Sequence, residues 1–175
     1  NEVSNTISEA QFSIQILENS EITVNRNDDL NLNLDIYNLT ENSIENIILQ
    51  YPVSNNIKIK EMYISRYNQE TGETDIQNQS YTVENNIANI DIGTMEANGN
   101  VYLNIVVQTT GTETNPILHQ FSIQGNNVPV HYSNVIREEV KDFNLEITQS
   151  SDSKDQIKQP GDYINYEIII KNDGD

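Results

Sequence analysis

The chain has no cysteine. Structural disulfides and thiolate metal sites are therefore excluded, and the fold must rest on a hydrophobic core or on some other crosslink. There is no tryptophan and there are only three phenylalanines in 175 residues, so that core has to be assembled from Ile, Val, Leu and Tyr. Basic residues are scarce: nine against 27 acidic ones, for a formal net charge of −18. A surface this negative repels phosphate backbones, which makes nucleic acid and anionic lipid poor partners. Its ordinary roles are solubility and mutual repulsion between neighbouring chains. No stretch approaches the roughly 18 uninterrupted apolar residues of a membrane span, and no signal peptide is recognisable.

What is present alternates. Apolar residues make up 35% of the chain and fall in short runs of period two, the pattern of half-buried strands rather than of disorder. Phe12, Ile14 and Ile16 open the series, with Ile22 and Val24 after a break at Asn19-Ser20. Leu30, Leu32, Leu34 and Ile36 follow, with Asn31, Asn33, Asp35 and Tyr37 as the polar face of an antiparallel sheet that is wet on one side. Ile47, Leu49 and Tyr51 make the next strand, which Pro52 closes for want of an N–H. Residues 57–66 alternate again, with Lys58 and Lys60 outward, as on a guarded edge strand. Residues 67–80 read as a polar loop around Gly72.

Residues 81–83 and 88–92 flank Glu84-Asn85-Asn86, where an Asn pair tolerates the positive φ of a hairpin turn. Residues 93–100 form a connection anchored by Met95, and Val101, Leu103, Ile105 and Val107 form a strand. After a loop at 109–116, residues 118–124 read as one strand through Phe121 and Ile123. Gly125-Asn126-Asn127 turns into Val128, Val130 and Tyr132. The charged run 136–142 (IREEVKD) is the one helical candidate; it is too short to stand alone and reads as a stiff connector. About nine short strands without a convincing helix predict a β-sandwich. Its core is expected to hold Phe12, Leu30, Leu34, Ile36, Leu49, Leu103, Ile105, Phe121 and Ile123.

One strand is used twice. Residues 159–175 read QPGDYINYEIIIKNDGD, a Pro-Gly-Asp turn leading into Ile164, Tyr166, Ile168 and Ile170 and stopping at Asn172-Asp173-Gly174. Residues 26–40 read RNDDLNLNLDIYNLT, an Asp-Asp turn leading into four alternating apolar residues and stopping at Asn38. A shift of 134 positions superimposes Asp28 on Asp162, the four apolar positions, and Asn38 on Asn172. Phe143, Leu145 and Ile147 likewise repeat Phe12, Ile14 and Ile16. Such a period implies tandem units.

The pattern F-x-[IL]-x-I, an Asp turn, then alternating apolar residues ending in Asn resembles the tandem Ig-like repeats of bacterial cell-surface proteins. Gly161, Asp162, Ile164, Tyr166, Ile168, Ile170, Asn172 and Gly174 match the second strand of that pattern closely. The first copy departs from it, with Asn27-Asp28 in place of Gly-Asp, Leu32 in place of the Tyr, and no closing Gly. The run Ile92-Gly93-Thr94-Met95-Glu96-Ala97-Asn98-Gly99 is similar to the turn such repeats place before a late strand. The resemblance implies an all-β, antiparallel Ig-like β-sandwich, with one complete domain followed by the first strands of a second repeat. The expected boundaries are a linker or the tail of a preceding unit at 1–10, the domain at 11–137, a connector at 138–142 and a truncated second repeat at 143–175. The chain starts without Met and stops inside a repeat, so it reads as a segment of a longer protein. Residues 143–175 should then fray, or be covered by the first domain or by a second copy of the chain. The resemblance further implies an extracellular location on a bacterial surface or cell wall, and the Asn, Ile and Glu usage resembles that of Gram-positive bacteria. The implied role is a non-catalytic stalk or spacer of an adhesin whose partners are neighbouring repeats. The alternative is a module that binds a glycan or a host protein.

Residues with site chemistry are few. His119 and His131 lack a third ligand at metal-like spacing and read as ordinary strand residues. No G-x-S-x-G elbow or comparable nucleophile context is present, and no cofactor is expected. Acidic turns are candidates for Ca²⁺, which takes six to eight oxygens: Asp28, Asp29, Asp152, Asp155, Asp173 and Asp175, none at EF-hand spacing. A Ca²⁺ site around Glu138-Glu139…Asp142 would stiffen the connector. A Lys–Asn amide of the kind used by related surface domains needs a buried Lys, and every Lys here falls at a polar-facing or loop position. The sequons Asn38-Leu39-Thr40 and Asn78-Gln79-Ser80 are expected by chance in so Asn-rich a chain. Tyr37, Tyr63, Tyr67 and Tyr102 face outward but lie on different strands, as ordinary sheet residues do.

Overall fold

Alternation becomes pairing in the computed structural model, which describes residues 11–67, 71–111, 116–141, 145–152 and 157–172. The chain divides into two units, residues 1–140 and 141–175. Strands β1 (Phe12–Ile16), β2 (Glu21–Asn25), β3 (Asp29–Asn38), β4 (Ile44–Pro52), β5 (Ile57–Tyr67), β6 (Thr74–Asn78) and β7 (Tyr81–Glu84) build the first part of unit one. They are followed by β8 (Ile87–Met95), β9 (Asn100–Thr109), β10 (Ile117–His119), β11 (Ser122–Gly125), β12 (Val128–Tyr132) and β13 (Ile136–Lys141). Unit two contains β14 (Leu145–Ser151) and β15 (Tyr166–Asn172). Every pairing with a resolved register is antiparallel.

Two five-stranded sheets, β1-β3-β9-β5-β6 and β12-β11-β4-β8-β7, enclose the core, and a three-stranded sheet β10-β13-β2 stands beside them. Leu32, Leu34, Ile36, Leu103 and Ile105 from the first sheet meet Ile47, Leu49, Tyr51, Ile90 and Ile123 from the second, together with Phe121 just before β11, all fully buried. All nine expected core residues belong to this cluster. The polar sets point the other way, with Asn31 and Tyr37 exposed and Asn33 and Asp35 half-buried. In β4 both Ile44 and Ile47 are buried, which strict alternation forbids. The ladder to β8 shifts register there, with Asn46 at φ 52° and the opposing Gly93 at φ 78°, so a bulge resets the phase. The hairpin at Asn85-Asn86 forms as expected, with both residues at positive φ between Glu84 and Ile87.

Four sequence expectations need correction. Residues 67–80 contain β6, a strand whose residues are all exposed and which therefore shows no alternation of burial. Residues 57–66 are not an edge along their whole length, because β5 lies between β9 and β6. Only Tyr63–Tyr67 pairs with β6, however. Among the described residues the Lys58–Lys60 stretch keeps a ladder on the β9 side alone, with a bulge at Lys60. Residues 118–124 are two strands in different sheets, hinged at Gln120-Phe121, where Phe121 N–H donates to Ser133 Oγ (2.9 Å) and Ser133 N–H to Phe121 O (2.9 Å). Finally, the described part of the expected connector, residues 138–141, is strand: Glu138 lies within β13, paired with Ile117 and 1% exposed.

Unit two repeats the opening of unit one in register. Phe12 faces Asn38 and Ile14 faces Ile36 across β1–β3; Leu145 faces Asn172 and Ile147 faces Ile170 across β14–β15. The shift is thus 134 for the second strand and 133 for the first, so Leu145, not Phe143, is the counterpart of Phe12. Phe143 lies outside the described residues, as do residues 1–10. Leu145, Ile147, Ile168 and Ile170 are exposed.

Candidate functional site

Two groupings carry chemistry, one inside the sandwich and one on its surface. The inner one joins four strands. His119 Nδ1 lies 2.6 Å from Tyr51 Oη, and His119 Nε2 lies 2.7 Å from Glu138 Oε2. The other Glu138 oxygen accepts from Thr109 Oγ1 at 2.9 Å. Tyr51 and His119 are 0% exposed, Glu138 1% and Thr109 3%. Tyr51 also stacks on Phe121, with ring centroids 4.5 Å apart. Hydroxyl, imidazole and carboxylate in line have the order of a nucleophile relay, but a nucleophile must be reachable and readily deprotonated. Burial, then the charge of Glu138, push the Tyr51 phenol far above its ordinary pKa. With its members fully enclosed, the chain holds strands together rather than meeting a solute. His131 lies apart, half-buried, its ring edge-on to Phe12 at 5.9 Å.

The outer grouping corrects the expectation of scattered tyrosines. Asp35 faces Tyr102, and Tyr102 faces Ser65, so these three share one face of the first sheet. Tyr37, two residues from Asp35, and Tyr63 and Tyr67, two residues either side of Ser65, fall on that same face. The face is polar between the rings. Asn104 Nδ2 donates to Asn33 Oδ1 (2.8 Å), and Asn33 donates to both oxygens of Glu18, from its side chain at 2.6 Å and its backbone at 2.9 Å. Tyr63 donates to Glu61 Oε2 at 2.8 Å, and this bond holds its pKa above the usual value. A bond to Asp35 does the same for Tyr37, and burial, then Glu18 and Asp35, for Tyr102. Sequence shows only that each ring points outward; the strand order decides that they are neighbours.

A cleft of about 630 Å³ opens beside this face, lined by Arg66, Tyr67, Asp75, Thr94, Glu96 and Asn100. Its cation is already engaged, since the Arg66 guanidinium donates to the carbonyl oxygens of Ile92 and Thr94.

The described Ca²⁺ candidates Asp28, Asp29 and Asp152 each bind a neighbouring side chain. Asp29 binds Lys60 Nζ at 2.7 and 2.9 Å, and Asp28 accepts from Asn25 Nδ2 at 2.8 Å. Asp152 accepts from the side chain (2.8 Å) and backbone (3.2 Å) of Asn165, bonds that hold its carboxyl below the usual range. Asp155, Asp173 and Asp175, and Asp142 of the connector idea, lie outside the described residues. Among the described residues no three His, Asp or Glu side chains converge on a metal position. Every described lysine is exposed or half-buried. The sequon at Asn38 is closed, because its amide is buried and donates to the carbonyls of Asn42 (2.8 Å), Met95 (3.3 Å) and Glu96 (2.8 Å). Asn78 of the other sequon is exposed at the end of β6.

No protein-family model and no curated protein matches the chain. Solved structures do. The major pilin subunit BcpA of Bacillus cereus superimposes over 92% of this chain and 55% of its own, with a TM-score of 0.56 at 10% identity. The full-length major pilin SpaD from Corynebacterium diphtheriae does so over 79% and 42%, with a TM-score of 0.53 at 9% identity. The chain has a pilin-like β-sandwich fold. It spans about half the length of these pilins. A non-cellulosomal cohesin from Archaeoglobus fulgidus superimposes more loosely, at a TM-score of 0.46 and 14% identity over 75% of this chain and 91% of its own. Among the described residues no helix is long and apolar enough to cross a membrane.

Proposed function

We propose that this pilin-like chain is a non-catalytic structural segment of a bacterial cell-surface protein, built from consecutive sandwich units that space or present a binding region. One observation carries this reading: β14–β15 reproduces β1–β3 down to the residue facing the terminal Asn. A strand pair that recurs in register supports a tandem array, in which each unit adds length. The net charge of −18 is in keeping with chains that must not aggregate while crowded on a surface. Antibody raised against the chain should label intact cells of the producing bacterium. Labelling that appears only after lysis would refute a surface location.

A second reading has one specific observation in its favour, the gathering of Tyr37, Tyr63, Tyr67 and Tyr102 on one polar face. Aromatic rings between amides and carboxylates suit a glycan, whose apolar ring faces stack while its hydroxyls bond. The negative charge disfavours sulfated or sialylated chains. Binding on a glycan array that is lost in both Tyr37→Ala and Tyr102→Ala would make this the better description.

A further inference from the structure

The chain leaves unit one along β13, and unit two begins at Lys141. Any tension passed between the units therefore enters unit one through β13. Hydrogen bonds hold that strand on both sides, to β10 and to β2. Its ladder to β10 pairs Ile117 with Glu138, Leu118 with Arg137 and His119 with Ile136, and beyond the β2 ladder Arg137 N–H donates to Ser20 O at 2.8 Å. The outward side chains add little: Arg137 meets Glu139 at 3.1 Å and Glu21 at 3.8 Å, in pairs that are well exposed.

The inward side chains add a great deal. Ile136 is fully buried, and Glu138 reaches into the sandwich to Thr109 on β9 and His119 on β10, with His119 passing the connection on to Tyr51 on β4. One carboxylate thus fastens the exit strand to a strand from each of the two large sheets. It does so through charge-assisted bonds in an interior from which water is excluded. We propose that the Tyr51–His119–Glu138–Thr109 chain is a non-covalent mechanical anchor, which keeps β13 seated when load reaches unit one from its C-terminal side. The proposal rests on the surface-spacer role above. It names the residues that carry the load, in a domain with no cysteine to form a disulfide.

A general stabiliser would act whatever the direction of pull, whereas an anchor acts only when its own strand is loaded. Single-molecule pulling on the 175-residue chain separates the two. The absence of native cysteine lets one handle be placed at will: a tether at the N-terminus is combined with Lys141→Cys, which loads β13, or with Asn126→Cys in the β11–β12 turn, which does not. Glu138→Gln keeps the shape and one acceptor oxygen but removes the charge and turns the other oxygen into a donor. Tyr51→Phe with Thr109→Val keeps the charge and removes both far ends, so a failure of one variant to fold leaves the other. In the Lys141 geometry each should shorten the lifetime of unit one at constant force by roughly ten- to a hundredfold, the worth of a hydrogen bond to a charged group. In the Asn126 geometry the lifetime should change much less. Equal shortening in both geometries, or no shortening at Lys141, overturns the anchor. Neither result bears on surface location, which cell labelling decides separately.

Discussion

Asn38 is the residue at which the repeated strand stops, and replacing it by Asp tests why that position is an amide. The side chain is 1% exposed and makes five hydrogen bonds. Its Nδ2 donates to the carbonyls of Asn42, Met95 and Glu96, and its Oδ1 accepts from the backbone and hydroxyl of Thr40 at 2.9 and 2.8 Å. The strand end is thereby tied to the turn between β8 and β9. Asn38→Asp swaps one NH₂ for an oxygen and aims a negative charge at three carbonyl oxygens. Leaving a buried charge without its partners costs about 3–5 kcal/mol, a large part of the roughly 5–15 kcal/mol that holds a domain folded. Urea unfolding followed by far-UV CD, with a slope of about 2 kcal/mol/M, should show a midpoint lower by about 1.5–2.5 M at pH 7. The penalty should shrink in acid. The introduced carboxyl has a pKa raised above the unfolded value of about 3.9, because burial and the carbonyls both disfavour its charge. Its protonated form can donate again, so stability relative to the parent is fully recovered only below the unfolded pKa and is lost as pH rises from there through the raised folded pKa. An Asn38→Asp variant within about 1 kcal/mol of the parent at pH 7, or one relatively more stable at pH 7 than at pH 4, would refute the reasoning.

Further outcomes follow from the same packing. Leu34→Asp places an unpaired charge where exposure is 0% and should cost several kcal/mol, on the order of the whole stability; retention of a cooperative unfolding transition near the parent midpoint would contradict the buried position. Gly125→Ala puts a Cβ 2.6 Å from Ile44 Cγ2, so it should destabilise by about 1–3 kcal/mol in the same assay, and a neutral result would contradict the close packing of the turn on Ile44. Tyr51 titrates above its ordinary value because of burial and Glu138. Its contribution is therefore intact below the unfolded tyrosine pKa of about 10 and is lost as alkali is added, so tyrosinate absorbance should show a late fraction that appears together with unfolding. Limited proteolysis should remove residues 145–172 before the first unit is cut, since a two-stranded pair with exposed Ile147, Ile168 and Ile170 is marginal in water. Protection that weakens on dilution would show instead that a second copy covers it.

Much of the architecture is written in the sequence because it is local. A period of two places Leu30, Leu32, Leu34 and Ile36 on one face whatever their partners, and all four are buried. Asn85-Asn86 accepts positive φ, which makes a hairpin turn of that pair alone. The recurrence of the strand ending in Asn38 as the strand ending in Asn172 needs no coordinates either. Tertiary structure decides which strands are neighbours, and alternation carries no information on that. It splits 118–124 between two sheets without disturbing the alternating burial of His119, Phe121 and Ile123. It gathers Tyr37, Tyr63, Tyr67 and Tyr102, distant in sequence, onto one face. It also turns Glu138, one charge within the polar run Arg137-Glu138-Glu139, into a buried anchor. A buried carboxylate looks like a surface one until its partners are known, and here they lie 19 and 29 residues away on other strands.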